Sequence, residues 1–477
     1  MADLLARFAA VVEENPDRIA IVDGKGKETS FRALDRRVRQ LAGQWRNKGI
    51  GRGDRVLLAM PVAADLYASL AALWSLGATV VLPEPAMGLK GLRHAARTVE
   101  PKAFCASGWY IALRFLLQEL RKLTLLRPGS DHLDRPEHGV IPASSDTALI
   151  SFTSGTTGAP KAIPRSHGFL TAQYKAVAPL LASDRKERDL VAFPVFTLIN
   201  LAEGRTSVLP NWKMSRIDRL SPQAMGAWLS QQNVTRMLIP PSLCETFLKV
   251  PTPSGLHTVF TGGGPVFPDL ITKLHGKTGL NLICVYGSTE AEPIAHLNTN
   301  DITPEEFEEM AQGGGLLVGP PVPQTRTRIV DGEILVAGDH VNKSYLDPRQ
   351  NAANKVQENG VTWHRTGDAG TFDGAGRLWL LGRVGTEIAT ATGPLFPFAV
   401  ETAARQWPGV RQAALMGTDG APMLVIEGDQ VNQSSWERSA RGMGIEKVHW
   451  IRRMPMDQRH HSKIDRGKLT GLLGSAG

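Results

Sequence analysis

The segment Ser151–Lys161 reads SFTSGTTGAPK. An apolar run ends at Phe152, and Thr153, Ser154, Gly155, Thr156, Thr157 and Gly158 follow before Pro160 and Lys161. Small residues let a backbone turn tightly, so that successive N–H groups converge on one oxyanion. The hydroxyls add donors and Lys161 adds a positive charge. Such a set suits the β- and γ-phosphates of a nucleotide. It is not a Walker loop, because the G-x-x-x-x-G-K-[ST] spacing is absent. The commonplace alternative is a surface loop of small residues.

Three other positions carry charged groups within short motifs. Glu290 follows Val285, Tyr286, Gly287, Ser288 and Thr289 (VYGSTE). Asp368 closes His364–Asp368 (HRTGD), and Lys463 lies in SKIDRGKL, Ser462–Leu469. Taken singly, these are a strand-end cap, a turn aspartate and a solvated lysine. Arg459, His460, His461, Arg466 and Lys468 make the region of Lys463 basic in any case. The paired histidines have no third ligand at metal-binding spacing and read as exposed.

The elements that must hold these groups alternate in type. Leu4–Val12 and Phe31–Lys48 have helical amphipathicity, while Ile19–Val22, Arg55–Met60 and Thr79–Leu82 read as short strands. Leu190–Phe193, Arg236–Ile239, Thr258–Thr261 and Asn281–Tyr286 continue as apolar strands. This alternation predicts an α/β architecture with a mostly parallel sheet. After about residue 312 the texture becomes β-rich, with Arg326–Val330, Glu333–Val336 and Leu378–Leu380 separated by turns; a tight one is expected at Val330–Glu333. A boundary near residues 382–385 precedes strands at Ala413–Met416 and Met423–Ile426.

Composition sets the limits. The chain has 477 residues, 42% hydrophobic and 21% charged, which is ordinary globular usage and excludes a disordered, collagen-like or coiled-coil protein. Lys plus Arg total 54 against 46 Asp plus Glu, a net charge of +8. A basic excess fits phosphates, nucleic acid or an acidic membrane surface without choosing among them. Three widely spaced cysteines, Cys105, Cys244 and Cys284, make no disulfide framework and suit a reducing compartment. With Arg7, Glu13 and Glu14 near the start and no apolar signal core, the expected location is cytoplasmic. Leu66–Leu82 is uncharged and approaches the length of a membrane span, but Gly77 divides it into a buried helix and a buried strand. Ala112–Arg127 reads as a basic, leucine-rich helix, either packed or lying on an anionic membrane.

The loop at Ser151–Lys161 resembles the signature of the adenylate-forming superfamily, which includes acyl-CoA synthetases, luciferases and peptide-synthetase adenylation domains. Five more motifs follow in that family's order: TGGGP at Thr261–Pro265, VYGSTE, HRTGD, LLGR at Leu380–Arg383 and SKIDRGKL. The resemblance implies ATP and Mg²⁺ as cofactors. It implies that Thr153–Gly158 and Lys161 hold phosphates, that Gly262, Gly263 and Gly264 pack against adenine, and that Tyr286 stacks on it. It also implies that Thr289 touches the phosphates, that Gly287 and Ser288 belong to the cofactor-binding set and that Glu290 holds the metal. Asp368 would accept from the ribose hydroxyls, Arg383 would contact ribose or phosphate, and Lys463 would bridge the substrate carboxylate and the α-phosphate.

Two departures narrow the subfamily. The hinge position two residues after Arg383 is Gly385, where Asp or Lys is usual. The following IKxxG segment reads IATATG at Ile388–Gly393. That region borders the pantetheine tunnel of CoA ligases, so CoA use is in doubt. The same departures resemble the β-lactone synthetases of long-chain olefin biosynthesis, as do Glu84–Ala95 (EPAMGLKGLRHA), Phe193–Leu198 (FPVFTL) and Thr390–Glu401 (TATGPLFPFAVE). Fatty acyl-CoA ligases share these segments. Phe193, Phe196, Leu198, Leu201, Leu238, Ile239 and the three glycines are candidates for an acyl pocket, with Asn200 as a polar contact.

The expected fold is therefore α/β. A large N-terminal domain of layered α/β sheets with a β-rich subdomain (residues 1–383) precedes a small mobile α+β C-terminal domain (residues 384–477). The expected activity is ATP-dependent conversion of a fatty or β-hydroxy acid to acyl-AMP, followed by transfer to CoA or closure to a β-lactone. The alternative is a nucleotide-binding protein of the same fold without the second half-reaction. The expected partner is a small carboxylic acid and not nucleic acid, with a candidate peripheral membrane contact, in a monomer or homodimer.

Overall fold

The computed structural model describes residues 3–83, 87–129, 142–153, 160–277, 279–391, 393–418, 421–457 and 463–474. Ser154, Gly155, Thr156, Thr157 and Gly158 lie outside the described residues.

Two α/β sheets and one β-rich sheet make up the larger part. In the first, Ile19–Val22, Thr206–Val208, Arg188–Val191, Arg236–Ile239, Thr258–Gly262 and Asn281–Ser288 lie side by side in parallel. Antiparallel strands Glu28–Ser30 and Ala291–Asn298 close its two edges. In the second, Thr124–Leu126, Ala103–Ala106, Arg55–Ala59, Thr79–Leu82 and Thr147–Phe152 are parallel, and Ala162–Ser166 returns antiparallel at the edge. Central parallel strands such as Arg55–Ala59, Ala103–Ala106, Arg236–Ile239 and Thr258–Gly262 are mostly apolar and almost wholly buried, as burial on both faces requires. The third sheet is antiparallel, in the order Leu316–Gly319, Leu378–Arg383, Val361–Phe372, Glu333–Ala337, Arg326–Val330. Asp331 and Gly332 both take positive φ at its tight turn, as expected there.

Side-chain caps start the first helices. Asp3 accepts from the Ala6 amide at the head of Leu4–Glu14, and Ser30 accepts from Ala33 at the head of Phe31–Asn47. These helices and Ala64–Ser75 pack around Trp45, Phe31 and Leu41 in a core with Ile21 and Val56. The uncharged stretch divides as its glycine predicts, into helix Ala64–Ser75 and strand Thr79–Leu82. No helix among the described residues is long and apolar enough to cross a membrane. The three cysteines are buried and unpaired.

One expectation fails. Ala112–Arg127 is not a single helix: a 3₁₀ turn, Gly108–Ala112, and two four-residue helices, Leu113–Leu116 and Gln118–Arg121, end in strand Thr124–Leu126. Leu117, Leu120 and Leu126 turn into the core, and this burial overrides the helical preference of the segment. Trp109, Phe115 and Leu116 are left exposed.

The C-terminal part has a core of its own around Trp436, Leu424 and Ile426. Strands Val410–Thr418, Ala421–Gly428 and Lys447–Trp450 carry helices Pro397–Ala404, Gln433–Gly442 and Arg466–Gly474. Arg405, just past the first of these helices, forms a two-pronged ion pair with Asp269 (2.9 and 3.0 Å) and stacks on Phe267. Both charged side chains are nearly buried.

Candidate active site

The site forms where the parallel strands of the first sheet end, the usual place for a ligand in an open α/β sheet. Strand Thr258–Gly262 delivers the three glycines. A Cβ on Gly262 would stand 2.4 Å from the Val285 carbonyl oxygen of the next strand, so only glycine lets the two backbones approach. Gly263 follows at positive φ against the Phe193 ring, and Gly264 continues the bend. Strand Asn281–Ser288 carries Tyr286, Gly287 and Ser288. Its hairpin to Ala291–Asn298 turns through Thr289 and Glu290, with Ser288 paired to Ala291. The Thr289 carbonyl accepts from Arg165, and the Glu290 carbonyl accepts from the Asn342 amide at 2.7 Å.

Around Tyr286 the polar groups interlock. The Tyr286 hydroxyl donates to Asp368 Oδ2 at 2.7 Å, and Arg383 donates to Asp368 Oδ1 at 2.7 Å. Asp368 and Arg383 are direct cross-strand partners. Burial, reinforced by the Asp368 carboxylate, holds the Tyr286 phenol well above its ordinary pKa, so it remains a donor. Sequence reasoning missed the group that aims this strand. Glu333, buried, accepts from Arg365 Nε (2.7 Å) and from the Gly367 amide (2.9 Å), fixing the turn that leads into Asp368.

At the edge of the second sheet, strands Thr147–Phe152 and Ala162–Ser166 pair up to Phe152 and Ala162, and the Thr153 amide donates to the Lys161 carbonyl at 3.1 Å. Thr153 and Lys161 therefore stand at the two feet of the loop. Lys161 Nζ donates to Asn354 Oδ1 at 2.8 Å and sits 5.2 Å from the Tyr345 ring centre. The Tyr345 hydroxyl donates to Glu290 Oε1 at 3.0 Å. Tyr345, Asn354 and Lys355 were also missed from sequence. Nothing local marks them, since Tyr345 is 55 residues from Glu290 and Asn354 is 193 from Lys161.

Two hydroxyls of this region, Thr153 Oγ1 and Ser288 Oγ, are buried and find no hydrogen-bond partner among the described residues. Buried polar groups are nearly always paired, so orphaned hydroxyls beside a lysine and a carboxylate mark a place for a polar ligand. The arrangement can hold an anion at Thr153, Ser288 and Lys161 and offers carboxylate acceptors at Asp368 and Glu290.

Lys463 stands apart. Its backbone pairs with Asp457 (2.8 and 2.7 Å), its residue is exposed, and no contact joins it to Glu290 or Asp368 among the described residues. The acyl-pocket candidates divide among cores. Phe193, Phe196 and Leu238 share one, Leu198 and Leu201 pack with the N-terminal helices, and Ile239 belongs to a third. Asn200 is buried between Ser207 (3.1 Å) and Arg205 (3.1 Å), a structural role in place of a substrate contact.

Known proteins share both the sequence and the fold. The chain is 29% identical to the olefin β-lactone synthetase of Stenotrophomonas maltophilia (strain K279a), over 98% of this chain and 97% of that one. It is 28% identical to a feruloyl-CoA synthase of Amycolatopsis sp, over 84% and 83%. Among solved structures it is similar to the amide bond synthetase McbA of Marinactinospora thermotolerans (TM-score 0.83, 22% identity, 98% and 99% covered). It is likewise similar to the O-succinylbenzoate coenzyme A synthetase of Bacillus subtilis in complex with ATP and magnesium ion (TM-score 0.78, 21% identity, 97% and 99% covered). The family described as AMP-binding enzyme matches residues 8–346, and the chain belongs to it.

Proposed function

We propose that this protein is an ATP-dependent acyl-activating ligase for a fatty or β-hydroxy fatty acid. A carboxylate oxygen of the acid attacks the α-phosphorus of ATP. The bond from that phosphorus to the bridging oxygen breaks, and acyl-AMP and pyrophosphate result. The observation that carries this reading is the pairing of two clusters at one sheet end: Tyr286–Asp368–Arg383 on one side, and Lys161–Tyr345–Glu290 with two orphaned hydroxyls on the other. Asp368 takes the ribose hydroxyls, while Thr153, Ser288 and Lys161 take the phosphates. Fixed donors and cations facing the charge that develops on the phosphates supply the main rate enhancement.

Glu290 fits a magnesium ion. Its Oε1 is occupied by Tyr345, which leaves Oε2, and no group of three His, Cys, Asp or Glu that could hold a metal occurs among the described residues. A site with one carboxylate suits an ion that takes its other ligands from phosphate and water. The ion would neutralise phosphate charge.

The acceptor in the second step is the substrate's own β-hydroxyl, which attacks the acyl carbon, closes a β-lactone and releases AMP. The near full-length similarity to two olefin β-lactone synthetases, at 29% and 28% identity, supports this choice. So does the altered segment Ile388–Gly393, in which the usual lysine is missing. Transfer to CoA is the second reading, favoured by the similarity to feruloyl-CoA synthase. In both, residues 384–477 form a lid that turns about Val384–Gly385, where Gly385 has positive φ, and that motion brings Lys463 to the site.

The test is incubation with ATP, Mg²⁺ and a panel of fatty and 3-hydroxy acids, with and without CoA, with products identified by mass. AMP release with lactone and no CoA is the expected outcome. Strict dependence on CoA replaces the lactone reading with the ligase one. No AMP with any acid removes both and leaves a nucleotide-binding protein.

A further inference from the structure

Lys355 begins strand Lys355–Glu358 and is paired across it with His364. Its ammonium lies 5.0 Å from the centre of the Tyr345 ring, on which Lys161 also sits, at 5.2 Å. Lys355 donates to the Asn342 carbonyl, and the Asn342 amide in turn donates to the Glu290 carbonyl. Two lysine ammoniums thus share one aromatic ring whose hydroxyl is bonded to Glu290.

Neither lysine has a carboxylate in ion-pair contact among the described residues. A charge this far out of water is ordinarily paired or neutralised. Burial holds the Lys355 ammonium down to about 7, and Lys161 pushes in the same direction while Glu290 opposes both. Two like charges around one ring, with a single carboxylate reached only through a phenol, form a site short of negative charge. A bound polyanion would supply it, and the orphaned hydroxyls of Thr153 and Ser288 are further donors for such a ligand.

We propose that Lys355 is a second phosphate-binding lysine, which with Lys161 grips the terminal phosphates of the nucleotide and the departing pyrophosphate. This rests on the acyl-AMP-forming reading above. The role is distinct from a purely structural one, in which Lys355 does no more than cap the Asn342 carbonyl. A structural lysine would affect all nucleotides alike, whereas a terminal-phosphate lysine leaves AMP alone.

The test is equilibrium binding by calorimetry of ATP, AMP and inorganic pyrophosphate to the full chain and to its Lys355→Met and Lys355→Arg variants. No acid substrate is needed. Loss of a charge-assisted hydrogen bond predicts that Lys355→Met weakens ATP and pyrophosphate by roughly tenfold to a hundredfold. AMP affinity should change less than twofold, and Lys355→Arg should recover part of the loss. The methionine variant should melt no lower than the parent, because it removes a half-buried ammonium that has no carboxylate partner among the described residues. Equal weakening of ATP and AMP, or no weakening of either, overturns the role of Lys355 and leaves the acyl-AMP reading standing. Failure of the parent chain to bind ATP overturns both. If Lys355→Met does not fold, Lys355→Arg decides. Unchanged affinity for all three ligands in a variant with altered donor geometry then overturns the grip, and selective weakening of ATP and pyrophosphate supports it.

Discussion

Tyr286 and Asp368, 82 residues apart in the chain, are joined by a 2.7 Å hydrogen bond that fixes the carboxylate before any ligand arrives. Arg383 holds the other oxygen. A carboxylate has about four acceptor sites, so two remain for hydroxyls of a ribose. Preorganisation of this kind removes a cost that a free aspartate would meet on binding.

Asp368→Asn keeps the shape of the group but loses its charge, and it places an amide where Tyr286 and Arg383 require acceptors. We expect ATP-pyrophosphate exchange to fall by at least about tenfold, the effect of losing one charge-assisted hydrogen bond. Tyr286→Phe retains the ring and should cost less. An Asp368→Asn enzyme with parental exchange rates would contradict the assignment.

Lys463→Ala should abolish most adenylation and leave ATP binding intact, since the lysine lies outside the Tyr286–Asp368–Arg383 and Lys161–Tyr345–Glu290 clusters. The comparison is exchange activity against calorimetric affinity on the same preparation. Full exchange activity would exclude Lys463 from the chemistry.

Asp269→Asn removes one partner of the nearly buried pair with Arg405. Leaving a nearly buried guanidinium with only the more distant Glu245 (3.9 Å) as a carboxylate partner costs about 3 kcal/mol. We expect faster proteolytic cleavage near residues 384–391, because this pair joins the C-terminal part to helix Pro268–His275. Unchanged cleavage kinetics would mean that the remaining contacts of helix Pro397–Ala404 hold the docked state alone.

Stability should fall as the pH drops below neutral. Burial, with Lys355 beside it, lowers the His364 imidazole to about 4 from an ordinary 6.5. Above pH 6.5 both folded and unfolded chains carry it neutral, and its full contribution is present. Between 6.5 and 4 only the unfolded chain takes the proton, so stability is lost in that window, by about 3 kcal/mol in total. Buried His167 and His340 and half-buried His296 are lowered too and act in the same sense. Denaturant titrations at pH 7 and 5 should show the loss, and His364→Gln should make it shallower. A slope unchanged in that variant would refute the assignment to His364.

Several parts of this molecule were determined by sequence alone. Strands such as Ile19–Val22, Arg236–Ile239 and Arg326–Val330 fall where alternation and apolar runs place them, because local periodicity is what a strand or helix needs in order to bury one face. Gly262, Tyr286, Glu290, Asp368 and Lys161 stood out because their motifs are contiguous, and the structure joins Tyr286 to Asp368 and, through Tyr345, Glu290 to Lys161. The break of Ala112–Arg127 was not legible, since burial of Leu117, Leu120 and Leu126 depends on sheets built elsewhere in the chain. Only the tertiary structure decided which distant groups meet: Glu333 under Gly367, Asn200 locked by Arg205, and Tyr345 between Lys161 and Lys355 beside Glu290. Those pairings span tens to hundreds of residues and are set by packing between sheets, which leaves no period or spacing in the sequence to read.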